Sequence, residues 1–418
     1  MQRPLIFEIN KAKVILYPIK SVRSIEINVM VNFGSWYEDQ SHLGSAHFLE
    51  HMLFHGTKNM PSAEIMMAYA KENGIYTNAY TSGKNINFYL NVPDINLDKG
   101  IKALEEVIFY PLFPEEKIYN ESNIVIQELK SHWDRPETRF YNQVDQILFG
   151  KDHIYTKDTL GTIDNIQKIN HQQLRNLHQK YFQPQNLIIS IVGNIKNPST
   201  IVKKLTKILS QHQNNYQSKL NYPPINPSSQ KVLIYHDKPE QETLCLTWIL
   251  DKDRKYSRLE KTSRTIFSRT LGNSMDSLLF KIFRLKYGLV YNIRSNITNY
   301  ENCSIFEISS QIDPVNSQKF LKIFDNEFDQ IINSLDEEMF NKTIKYTNYQ
   351  SLMTYDSVRE ISQMIINEAI KNKDIYLPED YIKLATKINF PKTSAFFKEK
   401  LTTKNRYTFR MTPTKPEN

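Results

Sequence analysis

Near the middle of the chain, Ser210 to Gln230 reads SQHQNNYQSKLNYPPINPSSQ. This stretch is polar and carries Pro223, Pro224 and Pro227. It has neither the 3.6-residue period of an amphipathic helix nor the two-residue period of a half-buried strand. A segment of that kind adds nothing to a core, so it reads as a linker, placed at 213–227. It separates an N-terminal domain, residues 1–212, from a C-terminal domain, residues 228–418. Each half holds about 200 residues, which suits a single domain.

Both halves interleave strands and helices. In the first, Ser24–Asn32 and Asn85–Val92 alternate as strands do. Asn186–Val192 is a short β-branched run stopped by Gly193, a buried strand. Helical periods cover Ala46–Phe54, Ala63–Glu72, Leu97–Phe109, Glu115–His132 and Ser199–Leu209. In the second half Val232–Tyr235, Thr243–Leu250 and Ser304–Gln311 read as strands, with helix over Arg258–Leu285 and Pro314–Ser334. The expected fold class is mixed α/β, with two similar domains that each pack helices on a β-sheet. The strand order is not derivable from these patterns.

Composition excludes several classes. With 40% hydrophobic and 23% charged residues the chain is neither disordered nor fibrous. No run approaches the roughly 18 to 20 apolar residues of a membrane span. Glu8 and Lys11 interrupt the N-terminus before a signal-peptide core forms, so export by that route is not expected. The two cysteines, Cys245 and Cys303, make no disulfide framework, and a cytoplasmic location is expected. The net charge of +8 is scattered, its densest patches being Lys203-Lys204 and Lys252 to Lys255. Nucleic acid is therefore not an expected partner.

The chemistry concentrates in His42 to Thr57, HLGSAHFLEHMLFHGT. Residues four apart on a helix share a face, so His47 and His51 can aim their imidazoles at one ion. Neutral imidazole is a preferred zinc donor. Glu50, three after His47, faces the same side and can take a proton from a water acidified by the metal. An amphipathic helix with two incidental histidines would explain neither this Glu nor its register. His55 lies four beyond His51, but past the apolar stretch and without a matching Glu, so it reads as a bystander.

Two histidines leave a catalytic zinc one protein ligand short. Glu115–His132 offers carboxylates. Glu121 and Glu128 share a helix face but are seven apart, roughly 10 Å along the axis, so both cannot bind one ion directly. Glu115, Glu116 and Glu137 lie nearby, and spacing alone does not choose among them.

The H-x-x-E-H order resembles the inverzincin metallopeptidases of the pitrilysin type, which include insulin-degrading enzyme and the mitochondrial processing peptidase. Phe33-Gly34-Ser35 with Glu38 before the motif, and Gly56-Thr57 after it, agree. The resemblance implies that Glu128, 77 residues beyond His51, is the third ligand beside His47 and His51 of one zinc per chain. It implies Glu50 as general base and Glu121 as an auxiliary residue. Asn78-Ala79-Tyr80-Thr81 resembles the edge strand to which an extended substrate adds in that family. Tyr181-Phe182-x-Pro184-x-Asn186 leading to Gly193 resembles its last N-domain strand. Arg284 and Tyr291, in LFKIFRLKYGLVY, match the pair that grips substrate and stabilises the tetrahedral intermediate.

By this resemblance the chain is a zinc endopeptidase for unfolded or short peptides, with Glu50 accepting a proton and passing it to the leaving amine. The alternative is a non-catalytic partner subunit of a heterodimeric processing peptidase. The family's long chains carry four domains that close like a clamshell, so two domains form half of one. A homodimer is then the simplest expectation, with a heterodimer as the alternative.

Overall fold

The computed structural model describes residues 3–212, 215–229, 231–236, 240–252, 254–371 and 374–413. The first half runs β1 (Leu5–Ile9), β2 (Ala12–Pro18), β3 (Ser24–Val31), α1 (Ser45–Met52), α2 (Ala63–Glu72), β4 (Tyr76–Thr81) and β5 (Ile86–Pro93). It continues through α3 (Leu97–Phe109), α4 (Glu115–Trp133), α5 (Pro136–Phe149), α6 (Ile163–Ile166), α7 (His171–Tyr181), β6 (Leu187–Gly193) and α8 (Pro198–Leu209). Residues 215–229 carry no regular secondary structure, and residues 213 and 214 of the expected linker lie outside the described residues.

The second half begins with β7 (Lys231–His236), β8 (Glu242–Lys252), α9 (Arg258–Gly272), β9 (Val290–Asn299) and β10 (Cys303–Ile312). There follow α10 (Pro314–Ser334), α11 (Glu337–Met353), α12 (Val358–Lys371), α13 (Pro378–Ala385), α14 (Phe390–Lys400) and β11 (Tyr407–Pro413).

The chain forms two compact units. The first takes the chain as far as His132, then Lys157–Asn221 and Thr354–Leu377; the second takes Trp133–Thr156, Tyr222–Met353 and the chain from Pro378. The units exchange segments, so α5 belongs to the second and α12 to the first.

The first unit holds a six-stranded sheet ordered β1-β2-β6-β3-β5-β4. β2 and β6 are parallel, and the other neighbours antiparallel. One face carries Val14, Leu16, Ile27, Val29, Ile189 and Ile191, packed against Phe48, Leu49 and Met52 of α1 and the apolar sides of α3 and α8. The opposite face carries Ile15, Tyr17, Met30, Ile188 and Val192, covered by Ile361, Ile365 and Ile366 of α12. Burial on both faces is why β6 reads as an apolar run interrupted only by Ser190.

The second unit repeats the path with five strands, ordered β7-β11-β8-β10-β9. Its parallel pair is β7 with β11, and the rest are antiparallel. The core here is aromatic. Trp248 stacks 5.5 Å from Phe328, and Phe324 stacks 4.3 Å from Phe328. The expectation of two similar mixed α/β domains holds. Two details differ. The helix expected over Arg258–Leu285 stops at Gly272, where a Cβ would lie 2.7 Å from Ser295 Oγ, and resumes as a π-helical turn over Phe280–Lys286. The C-terminal segment, uninformative in sequence, supplies the internal strand β11.

Candidate metal centre and active site

Helix α1 presents the site, and its start is fixed by two residues. Gly44 has φ +93, and a Cβ there would lie 2.7 Å from the Leu160 carbonyl. The buried Glu38 carboxylate accepts from the backbone N–H groups of Gly44 at 2.9 Å and Ala46 at 2.5 Å. An anion at a helix N-terminus satisfies free N–H donors and complements the dipole. Burial nevertheless pushes the Glu38 carboxyl up to about 7, against those two bonds and the Lys157 charge.

Within one turn α1 then aims its polar groups out of the core, while Phe48, Leu49 and Met52 face inward, fully buried. The His47 and His51 rings lie 4.6 Å apart, centre to centre. Glu128 of α4 comes to both: its Oε2 is 3.9 Å from His47 Nε2 and 3.7 Å from His51 Nε2. The three ligand atoms lie within 4.8 Å of one another, the one such group of three or more His, Cys, Asp or Glu among the described residues. Tetrahedral zinc bonds of about 2.1 Å put ligand atoms about 3.4 Å apart. The two Glu128–histidine distances come within a few tenths of an ångström of that spacing. The donor set, two imidazoles and one carboxylate, is that of an open catalytic zinc site, so the residues present fit the metal.

The two imidazoles sit in opposite electrostatic surroundings. Burial, with the neighbouring His51, lowers His47 to about 4, so it is neutral at physiological pH. Burial works against a charged His51, but the Glu121 hydrogen bond and the carboxylates of Glu50, Glu121 and Glu128 outweigh it and raise its pKa. His51 Nδ1 lies 2.7 Å from Glu121 Oε1, which leaves Nε2 to face Glu128. A carboxylate behind a ligating histidine fixes both ring orientation and tautomer.

Glu121 does not serve His51 alone. Its second oxygen, Oε2, is 2.7 Å from His55 Nε2. These two hydrogen bonds, chiefly, pull the Glu121 carboxyl down to about 2. His55, expected as a bystander, is therefore tied into the cluster. Its place beyond the helix end is what hid it, since spacing rules apply only within the helix.

Glu50 is buried and accepts from Thr81 Oγ1 at 2.7 Å through Oε2. Burial raises its pKa, with Thr81 and His51 acting in the opposite direction. The bond to Thr81 escaped the sequence reading, because nothing in either motif pairs position 50 with position 81. Asn78, Ala79 and Tyr80 stand on β4, the strand at the sheet edge, which pairs with β5. Tyr76, Asn78 and Tyr80 are exposed there. Next to Glu50, His51, His55 and Glu121 opens a cavity of about 500 Å³. Its wall is apolar, drawn from α2, α3 and β5, with Met66, Ala70, Phe88, Ala103, Leu104 and Val107 among the lining residues.

Arg284 and Tyr291 belong to the second unit. Arg284 Nη1 donates to the Tyr291 carbonyl, and its guanidinium sits 4.6 Å over the Tyr291 ring. The Tyr291 side chain is exposed.

Comparison with known proteins gives two family matches. Residues 13–163 match the model of the insulinase family, peptidase family M16, and residues 168–346 match the M16 inactive domain. A Rickettsia felis protein named an uncharacterized zinc protease is 27% identical over 387 residues, 91% of this chain and 92% of that protein. A like-named protein of Rickettsia bellii is 30% identical over 307 residues, 72% of each chain. The crystal structure of a protease from Helicobacter pylori superposes with a TM-score of 0.83 at 19% identity, covering 98% of this chain and 99% of that one. Among the described residues no helix is long and apolar enough to cross a membrane.

Proposed function

Because the chain belongs to the insulinase family of peptidases, family M16, we propose that it is a zinc-dependent endopeptidase acting on unfolded or short peptides. One observation carries the reading. A buried carboxylate, Glu50, lies within the same helical turn as a two-histidine, one-glutamate cluster and is hydrogen-bonded to the sheet-edge strand β4. His47, His51 and Glu128 hold one zinc ion. When bound, zinc polarises a carbonyl and acidifies water.

The chain's own residues do the rest. Strand β4 binds the peptide by backbone pairing along Asn78, Ala79 and Tyr80, a mode that requires an extended substrate. Thr81 occupies Glu50 Oε2, leaving Oε1 to accept the proton of the attacking water and return it to the leaving amine. Glu121 holds His51 in its ligating tautomer. By the family resemblance, and within the closed dimer, Arg284 and Tyr291 grip the substrate and donate to the developing oxyanion. The cavity beside Glu50 receives one large apolar side chain of the substrate.

The protein works as a homodimer in the cytoplasm, a reading supported by two buried free cysteines and by the presence of both motifs in one chain. Sedimentation of an active monomer would overturn the dimer. The central test is cleavage of an unstructured peptide, with metal analysis, before and after chelation. Loss of cleavage with loss of zinc, and recovery on adding zinc back, is the expected result. A zinc-loaded protein that cleaves no peptide would instead mark a non-catalytic subunit.

A further inference from the structure

His55 stands outside α1, in a turn that the fold holds tightly. Gly56 has φ +140, and a Cβ there would lie 2.7 Å from the Pro61 carbonyl, so the backbone after His55 has one path. Thr57 N–H donates to the Met60 carbonyl at 2.7 Å, and Leu112 N–H to the Gly56 carbonyl at 3.0 Å. The buried Glu106 of α3 accepts from Thr57 Oγ1 at 2.9 Å and from the Asn59 N–H at 3.1 Å. The imidazole of His55 is thus presented from a rigid support, and its Nε2 meets Glu121 Oε2.

The consequence falls on His51. The Glu121 side chain is only 7% exposed, so the protein must supply its hydrogen bonds. Oε1 serves His51 Nδ1 and Oε2 serves His55 Nε2, both at 2.7 Å. With one bond alone, the carboxylate could rotate about its side-chain torsions and carry Oε1 off Nδ1. The second bond fixes the carboxylate plane. We propose that His55 is a positioning residue of the metal centre, clamping Glu121 so that His51 keeps Nε2 free for zinc. The inference rests on the zinc reading above and extends it to a residue outside the three that would hold the metal.

The test is zinc affinity of the full-length chain, stripped by chelator and titrated against a chromophoric competitor. His55→Leu keeps bulk against the cavity but cannot donate. It should weaken zinc binding about tenfold, the low end of what loss of an outer hydrogen-bond partner costs. His55→Gln places an amide N–H near the position of Nε2 and should restore affinity to within about threefold of wild type. In a Glu121→Gln background the His55→Leu change should cost nothing further, because the clamp is already gone. Should His55→Leu not fold, as judged by circular dichroism of the apo chain, His55→Ala gives the same reading. Wild-type affinity in a folded His55→Leu chain, or an equal loss in His55→Leu and His55→Gln, would overturn the clamp. Failure of the wild-type chain to bind zinc would instead overturn the metal reading itself.

Discussion

Thr81 Oγ1 lies 2.7 Å from Glu50 Oε2 and donates to it. Thr81 ends the exposed edge strand β4, and Glu50 lies one residue before His51 on α1. The strand proposed to pair with substrate is thereby bonded directly to the proposed base. Loss of a hydrogen bond to a charged group costs about 1.5–3 kcal/mol. Thr81→Val should therefore lower kcat by about tenfold or more while leaving zinc content unchanged, as read in peptide cleavage and metal analysis. Glu50→Gln should lower kcat at least ~100-fold with zinc retained. Full activity in Glu50→Gln would sink the proposed mechanism.

The cavity beside Glu50 predicts a selectivity. Ala103 lines it from α3. Ala103→Phe should fill part of the space and reduce kcat/KM for peptides with a bulky apolar residue next to the scissile bond. The expected loss is about 10- to 100-fold, the range for steric misfit in an apolar pocket. Peptides with Gly or Ala at that position should be cleaved at close to the wild-type rate. A peptide panel differing at that one position measures both, and a uniform loss would show that the cavity does not read the substrate.

What the sequence discloses follows the range of the interaction. His47, Glu50 and His51 are legible because one helical turn brings them together, and the structure turns both imidazoles toward one Glu128 oxygen, with Glu50 beside His51 in the cavity wall. Glu128 is different: seven residues of helix exclude Glu121 and Glu128 from sharing an ion but do not say which one binds. Only the crossing of α4 over α1 puts Glu128 opposite both Nε2 atoms and Glu121 behind His51. His55 and Thr81 were missed because their partners are set by tertiary contacts from α4 and β4. In the fold, β3 and β5 announce themselves by alternation and β6 by an apolar run. β11 alternates too, Tyr407, Phe409 and Met411 against Thr408 and Arg410, but nothing local puts this segment inside the sheet, between β7 and β8. Its Arg410 is accommodated by a bidentate pair with the fully buried Glu242, which no local pattern predicts.

Helix α12 closes the outer face of the first sheet, and its two inward residue types predict opposite effects. Ile365 is fully buried against that sheet. Ile365→Ala should lower unfolding free energy by about 2–5 kcal/mol. Ser362 is also fully buried, and its Oγ finds no hydrogen-bond partner among the described residues. A buried unsatisfied hydroxyl costs about 1–3 kcal/mol, and Ala is the better helix former. Ser362→Ala should therefore stabilise the chain by about 1 kcal/mol. Urea unfolding of the two variants beside wild type decides, and destabilisation by Ser362→Ala would mean that the hydroxyl is satisfied in solution.

His178 of α7 predicts how stability depends on pH. Burial lowers its pKa to about 4, against the 2.8 Å hydrogen bond that its Nε2–H gives to the Ile108 carbonyl at the end of α3. In the unfolded chain the imidazole titrates near 6.5. Between those values the unfolded state binds the extra proton, so stability is complete above about pH 7 and falls as pH drops toward 4. The loss by pH 5 should be roughly 2 kcal/mol from this residue. His178→Gln can still donate to Ile108 but does not titrate. Its stability relative to wild type should improve by about that amount between pH 7.5 and pH 5, as read in urea unfolding at each pH. His47, lowered in the same direction, remains in both proteins and cancels from the difference. A constant difference across the two pH values would show that His178 accepts a proton without disturbing the fold.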